Sequence, residues 1–348
     1  MAAQIKERRR SRVNAAPYPL GLVIGKFYPP HRGHHLLIDT ALAACDHTIV
    51  IVCGKPSDSI PGETRRDWLQ EMHTSAEIRL IDDRYDENDS AVWAENTLRW
   101  LGRAPDAVFT SEDYGDRYAS LMGSRHILVD KPRLTIPISG TAVRTDPWAN
   151  WDFISPPVRQ WYARRVCLLG AESTGTTTLA KALAGRLRTA WVPEYGREYS
   201  EAKAERGGII WHTGEFITIA REQARREDAA ARACNRVLIC DTNAFATTLW
   251  HRRYMGTRSP EVEALAATGQ CDLYLLTGDE IPFVQDGLRD GEHLRHEMHQ
   301  WFGDALTRQP VPWVLLSGPI EERLEKALAC IRALFPPDSP WWTSSQEA

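Results

Sequence analysis

At 348 residues the chain has room for two domains, each with its own core, at about 100–200 residues per domain. A formal net charge of −4 with 25% charged residues is an ordinary surface balance, with no overall basic field for nucleic acid or an anionic membrane. No apolar run approaches the roughly 20 residues that span a bilayer, and the seven cysteines (45, 53, 167, 234, 240, 271 and 330) lack C-x-x-C spacing, so buried, reduced thiols in a soluble, cytoplasmic protein are expected.

In chain order, a basic cluster of Lys6, Arg8, Arg9, Arg10 and Arg12 comes first, without apolar periodicity and without a following apolar signal core. Residues 1–19 are therefore expected to form a disordered tail. Residues 20–24, LGLVI, read as a strand, and Leu36, Leu37, Ala41 and Ala44 recur at helical spacing behind it. The run GKFYPPHRGH at 25–34 thus lies on a strand-to-helix turn. Strand-like runs at 48–53, 77–81 and 107–110 alternate with helical stretches at 64–73 and 91–101, the βαβ signature of a mostly parallel sheet. Proline and tryptophan crowd the segment TDPWANWDFISPP, and 146–163 reads as a linker or docking segment. The alternation then restarts, with strands expected at 165–169, 190–192, 236–240, 272–277 and 313–317 and helices at 177–188, 214–233 and 320–334. The expected fold class is α/β with two domains, at 20–145 and 164–337, both with mostly parallel sheets, followed by a tail at 338–348.

In GKFYPPHRGH the glycines let backbone approach a phosphate, Pro29 and Pro30 hold the loop extended, and His31 and His34 present ring nitrogens to phosphate oxygens. The run fills every fixed position of G-x-F-x-P-x-H-x-G-H and resembles the nucleotidyltransferase superfamily, which implies a Rossmann-like N-terminal domain. Residues 138–144, ISGTAVR, match a second motif of that superfamily, I-S-x-T-x-x-R. The resemblance implies that ATP is held by Gly25, Lys26, Phe27, His31, His34, Ser139, Thr141 and Arg144. His31 and His34 would stabilise the pentavalent α-phosphate, and Arg144, Ser139 and Thr141 would hold the departing phosphates with Mg2+. A further resemblance is to nicotinamide mononucleotide (NMN) adenylyltransferases of the archaeal and NadR type. It makes Trp93 the candidate for stacking the cationic nicotinamide ring, the alternative being that Trp93 only packs on its own helix. Arg65 and Arg66, after GET, are candidates for the NMN phosphate, the alternative being a solvated helix start.

A second phosphate loop follows the strand at 165–169. Gly170, Ala171, Glu172, Ser173, Thr174, Gly175, Thr176 and Thr177 match G-x-x-x-x-G-K-[ST] except at the lysine, which is Thr176 here; Thr178 continues into the helix. The glycines, the backbone N–H nest and a Thr177 hydroxyl for Mg2+ remain. Downstream, VPEYGREY (192–199), LICDT (238–242) and QDGLRD (285–290) follow in order, and together they resemble the ribosylnicotinamide kinase half of NadR-type bifunctional proteins. The resemblance makes Glu194 the base for the riboside 5′-hydroxyl, Arg197 a substrate clamp, Asp241 and Thr242 the Mg2+ side, and Arg289 a lid arginine reaching the transferring phosphoryl group. Asn243 stands where a second acidic residue is expected in that family. Lys181, one turn beyond Thr177 on the same helix face, is the candidate cation in place of the missing lysine.

His293, His296 and His299 do not form a metal site, because the outer two lie about 240° apart around a helix; a polar helix is expected there. Some members of the family carry a DNA-binding helix-turn-helix in front. Only about twenty residues precede the first strand here, so repression through such an element is not expected. The expected function is NAD salvage, with phosphorylation of nicotinamide riboside to NMN and adenylyl transfer to NMN, and with ATP, NMN and the riboside as small-molecule partners. Two alternatives stand beside it: an adenylyltransferase whose P-loop domain only senses nucleotide, and a nucleotidyltransferase for another phosphorylated acceptor. Neither nucleic acid nor membrane is expected as a partner, and a homo-oligomer is left open.

Overall fold

The computed structural model describes residues 16–342 apart from 87, 209, 288, 290 and 340. The basic tail expected at 1–19 lies largely outside the described residues, and its last two positions, Tyr18 and Pro19, already belong to the first strand. The chain divides into two compact units, Met1–Val158 and Arg159–Ala348.

The first unit runs β1 (Tyr18–Gly25), α1 (Arg32–Ala44), β2 (Cys45–Gly54), α2 (Gly62–Met72), β3 (Glu77–Asp82), α3 (Ser90–Leu101), β4 (Ala107–Thr110), α4 (Gly115–Leu121), β5 (Arg125–Leu128) and α5 (Gly140–Thr145). Its five strands are parallel in the order β3-β2-β1-β4-β5. Because side chains alternate across a strand, β1 feeds two cores. Val23 joins Val50, Val52, Ile38 and Leu69 on one face, and Leu22 joins Ile51, Val108 and Tyr118 on the other. Burying each such aliphatic side chain contributes about 1.5–3 kcal/mol, and helices on both faces explain the near-continuous apolar strands. Strand order reverses beside β1, which opens a crevice at the carboxyl ends of β1 and β4. GKFYPPHRGH leaves β1 at that point.

α4 and β5 have no clear sequence signal: RHIL is a four-residue edge strand with polar and apolar residues mixed. The segment 146–163 is structured, holding a 3-10 turn, Trp151–Phe153, and α6 (Pro156–Tyr162). Trp151, Ile154 and Val158 are buried in it.

The second unit continues with β6 (Arg164–Leu169), α7 (Thr176–Leu187), β7 (Trp191–Val192), α8 (Tyr195–Glu205), α9 (Thr213–Ala231), β8 (Val237–Asp241), α10 (Ala244–Met255), α11 (Pro260–Thr268), β9 (Leu273–Thr277), α12 (Arg295–Thr307), β10 (Trp313–Leu316) and α13 (Ile320–Arg332). Its parallel sheet has the order β10-β9-β6-β8-β7. The phosphate loop therefore hangs from the central strand, with the ends of β8 and β9 beside it. The tail expected at 338–348 needs correction over its described part. Trp341 and Trp342 are buried and pack on Phe335 with ring centroids 4.8 and 6.5 Å away; positions 343–348 lie outside the described residues. Among the described residues no helix is long and apolar enough to cross a membrane.

Candidate active sites

In the first unit the chain leaves β1 through Phe27, whose backbone is left-handed (φ 46°). That turn drives the Phe27 ring into the core, where it meets the His34 ring edge-on at 5.1 Å. His31 and His34 stack with centroids 3.7 Å apart, and the backbone N–H of His31 donates to Nδ1 of His34 at 3.3 Å. This bond assigns the His34 proton to Nε2. A Cβ on Gly33 would stand 3.1 Å from the His31 ring, so glycine lets that ring lie against the backbone. Burial first, then the charge of Arg133, lowers the His31 pKa to about 4. His34 falls well below 6.5, through burial and then His31, His35 and Arg133. Burial thus favours the neutral imidazole at both positions, and a neutral ring keeps one N–H to donate.

They line a cavity of about 850 Å³ together with Gly25, Lys26, Phe27, Trp93, Ser139, Thr141 and Arg144. Two motifs more than a hundred residues apart in sequence thus face one space. Ser139 caps α5, accepting from the Ala142 N–H at 3.1 Å. Arg144 donates to Thr141 Oγ1 at 3.2 Å and to the Tyr28 carbonyl, and its guanidinium lies 4.7 Å from the Tyr28 ring centre. Trp93 donates from Nε1 to the Asp86 carbonyl at 2.9 Å and is flanked edge-on by Tyr85 and Trp100 at 5.6 and 6.1 Å. Its ring orientation is set by those neighbours, on the wall of the cavity.

Arg65 and Arg66 do not bear out their expected contact with a mononucleotide phosphate. Arg65 has no exposed surface. Its guanidinium donates to the carbonyls of Ile60 (3.1 Å), Cys53 (3.2 Å) and Lys26 and to Asp58 at 2.5 Å, under the Tyr28 ring at 5.0 Å. It ties the phosphate loop to the end of β2 and has no surface left for a ligand. Arg66 pairs with Asp67 at 2.7 and 2.9 Å, and neither arginine lines the cavity. The cavity instead presents Lys55, Asp83, Glu112 and Arg133, which carry no motif in the sequence.

In the second unit the loop from Gly170 to Thr177 has the left-handed residues Ser173 (φ 60°) and Gly175 (φ 84°). A Cβ on Gly170 would stand 2.3 Å from the Thr174 and Thr277 hydroxyls. Thr174 is buried and donates to the Ala171 carbonyl at 2.8 Å, so only its backbone is available to a nucleotide. Thr177 donates to Asp241 at 2.5 Å. Hydroxyl and carboxylate from α7 and β8 therefore meet, the arrangement that holds Mg2+ with one carboxylate and the substrate phosphates. Glu194 stands at the N-cap position of α8 without a side-chain capping bond, and burial, then Asp241, raises its carboxyl to about 8. Asp241 is likewise pushed up by burial, against its hydrogen bonds to Thr177 and Thr176 and the charge of Lys181. Lys181 itself rests 5.3 Å over the Trp191 ring. Thr178 is exposed on the first turn of α7.

Arg197 and Arg289, expected to reach substrate, both meet Asp286, at 2.7 and 3.2 Å; Arg197 also donates to Glu201 at 2.8 Å. Asn243 caps α10, accepting from the Phe245 N–H at 3.1 Å. Three arginines with no local sequence signal brace the loop. Arg253 pairs with Glu172 at 2.6 Å, Arg295 donates to the Ser173 carbonyl at 3.0 Å, and Arg323 donates to the Thr174 carbonyl at 2.9 Å. They come from α10, α12 and α13, which only the tertiary fold brings together.

Fold and sites together define a nucleotide-handling protein with a nucleotidyltransferase-type unit ahead of a P-loop unit. A cytidylyltransferase-like family model matches residues 22–146, and an AAA domain model matches residues 165–323. The trifunctional NAD biosynthesis/regulator protein NadR of Escherichia coli (strain K12) is 30% identical over 296 residues, covering 78% of this chain and 71% of that protein. Its counterpart of the same name in Salmonella typhimurium is 30% identical over 294 residues, with the same coverages. The chain belongs to the NadR family. A NadR protein solved in complex with NR has the same fold, with a TM-score of 0.76 at 21% identity over 92% of this chain and 96% of that one. A second, in complex with NAD and AMP-PNP, has a TM-score of 0.69 at 21% identity with the same coverages.

Proposed function

We propose that this chain makes NAD in two ATP-dependent steps, with nicotinamide riboside phosphorylated at residues 164–337 and the resulting mononucleotide adenylylated at residues 20–145. The observation that carries it is that one NadR-family chain holds two constellations suited to nucleotide phosphates, one in each unit: the His31–His34 stack at 3.7 Å and the Thr177–Asp241 contact at 2.5 Å. NR, NAD and AMP-PNP in the solved NadR proteins support this substrate set. All seven cysteines are thiols rather than disulfides, which supports a reducing compartment such as the cytoplasm.

In the first step the riboside 5′-oxygen attacks the γ-phosphorus of ATP, its proton passes to Glu194, and ADP leaves. Thr177 and Asp241 are the residues that would hold Mg2+, which would neutralise triphosphate charge. In the second step a phosphate oxygen of the mononucleotide attacks the α-phosphorus of a second ATP in line, and pyrophosphate leaves. His31 and His34 donate hydrogen bonds to the pentavalent centre, while Arg144, Thr141 and Lys26 take up the departing charge. Trp93 faces the pyridinium ring.

Thr176, in place of the loop lysine, favours one second reading, a P-loop unit that binds nucleotide without turnover. Incubation with ATP, Mg2+ and nicotinamide riboside distinguishes the two. NAD from riboside supports both activities; NAD from NMN alone supports the sensing alternative; NAD from neither overturns the assignment. His34→Ala is expected to abolish adenylyl transfer and spare riboside phosphorylation, and Asp241→Asn to do the reverse. Loss of both activities in either folded variant would refute the two-site scheme.

A further inference from the structure

His31 and His34 stack inside a cavity whose wall also carries three cationic side chains, Lys26, Arg133 and Arg144, and burial disfavours a charge on either ring. Arg144, assigned above to the departing phosphates, also donates to the Tyr28 carbonyl and lies over the Tyr28 ring. Arg133 lines the same cavity, and its charge acts on both His31 and His34.

The backbone around Arg133 is built to hold it there. Asp130 and Arg133 are both left-handed, with φ of 44° and 53°, a conformation that non-glycine residues keep only where the surroundings impose it. What imposes it is the Asp130 carboxylate. It accepts the backbone N–H groups of Leu134 at 2.9 Å, Thr135 at 3.1 Å and Ile136 at 3.0 Å. The Arg133 N–H closes the turn onto the Asp130 carbonyl at 2.8 Å. Five residues beyond Arg133 the chain enters ISGTAVR, so one turn aims Arg133 and delivers Ser139, Thr141 and Arg144.

The Arg133 side chain is half exposed, and its ion pair with Glu112 is long, 3.4 Å, to a carboxylate 59% exposed on the same cavity. A guanidinium held that loosely exchanges a solvated carboxylate for phosphate oxygens at little cost, and gains paired hydrogen bonds in a less hydrated site.

We propose that Arg133 contacts the reacting phosphates during adenylyl transfer and that Asp130 is the residue that positions it. The inference rests on the nucleotidyltransferase reading of the first site. Because charge builds at the phosphorus as the mononucleotide attacks, Arg133 acts mainly on kcat.

The test uses the full chain, with NAD formation from NMN and ATP as the readout and the thermal unfolding midpoint of the first unit as the control for folding. Arg133→Ala is expected to lower kcat about 100-fold, with KM for both substrates within about threefold and riboside phosphorylation unchanged. Added guanidinium ion should restore part of the rate to Arg133→Ala. Asp130→Ala should lower kcat in the same direction, and Asp130→Asn, which keeps one acceptor oxygen, should recover part of it. Arg133→Ala with kcat and KM both within threefold of wild type overturns the proposal, as does a loss of thermal stability with kcat intact. Failure of the wild type to form NAD would instead refute the reading of the first site.

Discussion

Replacing Arg65 by leucine separates the two roles that this residue can have. Its guanidinium satisfies the Ile60, Cys53 and Lys26 carbonyls and neutralises Asp58 with no exposure of its own. Leucine removes every one of these donors and leaves the Asp58 carboxylate, itself only 18% exposed, without its cation. Breaking a buried pair in this way costs about 3–5 kcal/mol. At about 2–4 °C per kcal/mol for a unit of this size, the midpoint of the first unit should fall by about 10 °C. Differential scanning calorimetry gives that shift, and steady-state kinetics well below the new midpoint gives the second readout. There KM for NMN should stay near wild type, while kcat declines because the Lys26 carbonyl is no longer tethered. Arg66→Ala, which removes an exposed pair with Asp67, should change neither. A variant Arg65→Leu that melts with the wild type and loses only affinity for NMN would refute the clamp and restore the phosphate-ligand role.

Acid should destabilise the first unit specifically. The folded state holds His31 neutral down to about pH 4 against 6.5 when unfolded, so the unfolded chain binds more protons between those values. The stability is fully present above about pH 6.5 and is lost as pH falls toward 4, by about 3 kcal/mol from His31 alone. Urea unfolding at several pH values should show this fall, flattened in His31→Gln; parallel curves would contradict it. In the second unit, Lys181→Ala should slow single-turnover riboside phosphorylation if Lys181 leaves Trp191 to meet the phosphates, and a wild-type rate would remove it as the replacement cation. Thr176→Lys gaining several orders of magnitude would indicate that the native loop is impaired.

What was legible in the sequence was local. GKFYPPHRGH, ISGTAVR and the lysine-less phosphate loop each mark a strand-to-helix turn, and such turns need particular residues wherever the chain goes next. Gly33 must admit the His31 ring, and Gly170 must clear two threonine hydroxyls. The alternation of apolar runs likewise marks parallel sheets, because strands covered on both faces are apolar throughout. RHIL escaped this logic, since an edge strand buries little. Arg65 and Arg133 escaped it for a different reason. An arginine beside GET and an arginine in DKPR carry the same charge and reach, and nothing in their neighbours tells clamp from ligand. That difference is decided by which groups converge on the guanidinium: carbonyls from β2 and the phosphate loop for Arg65, and an open cavity with one loosely held carboxylate for Arg133. The sequence by itself determined the two chemistries and the order in which they lie along the chain. Only the tertiary structure decided which charges face the cavity, because burial and convergence depend on segments far apart in the chain.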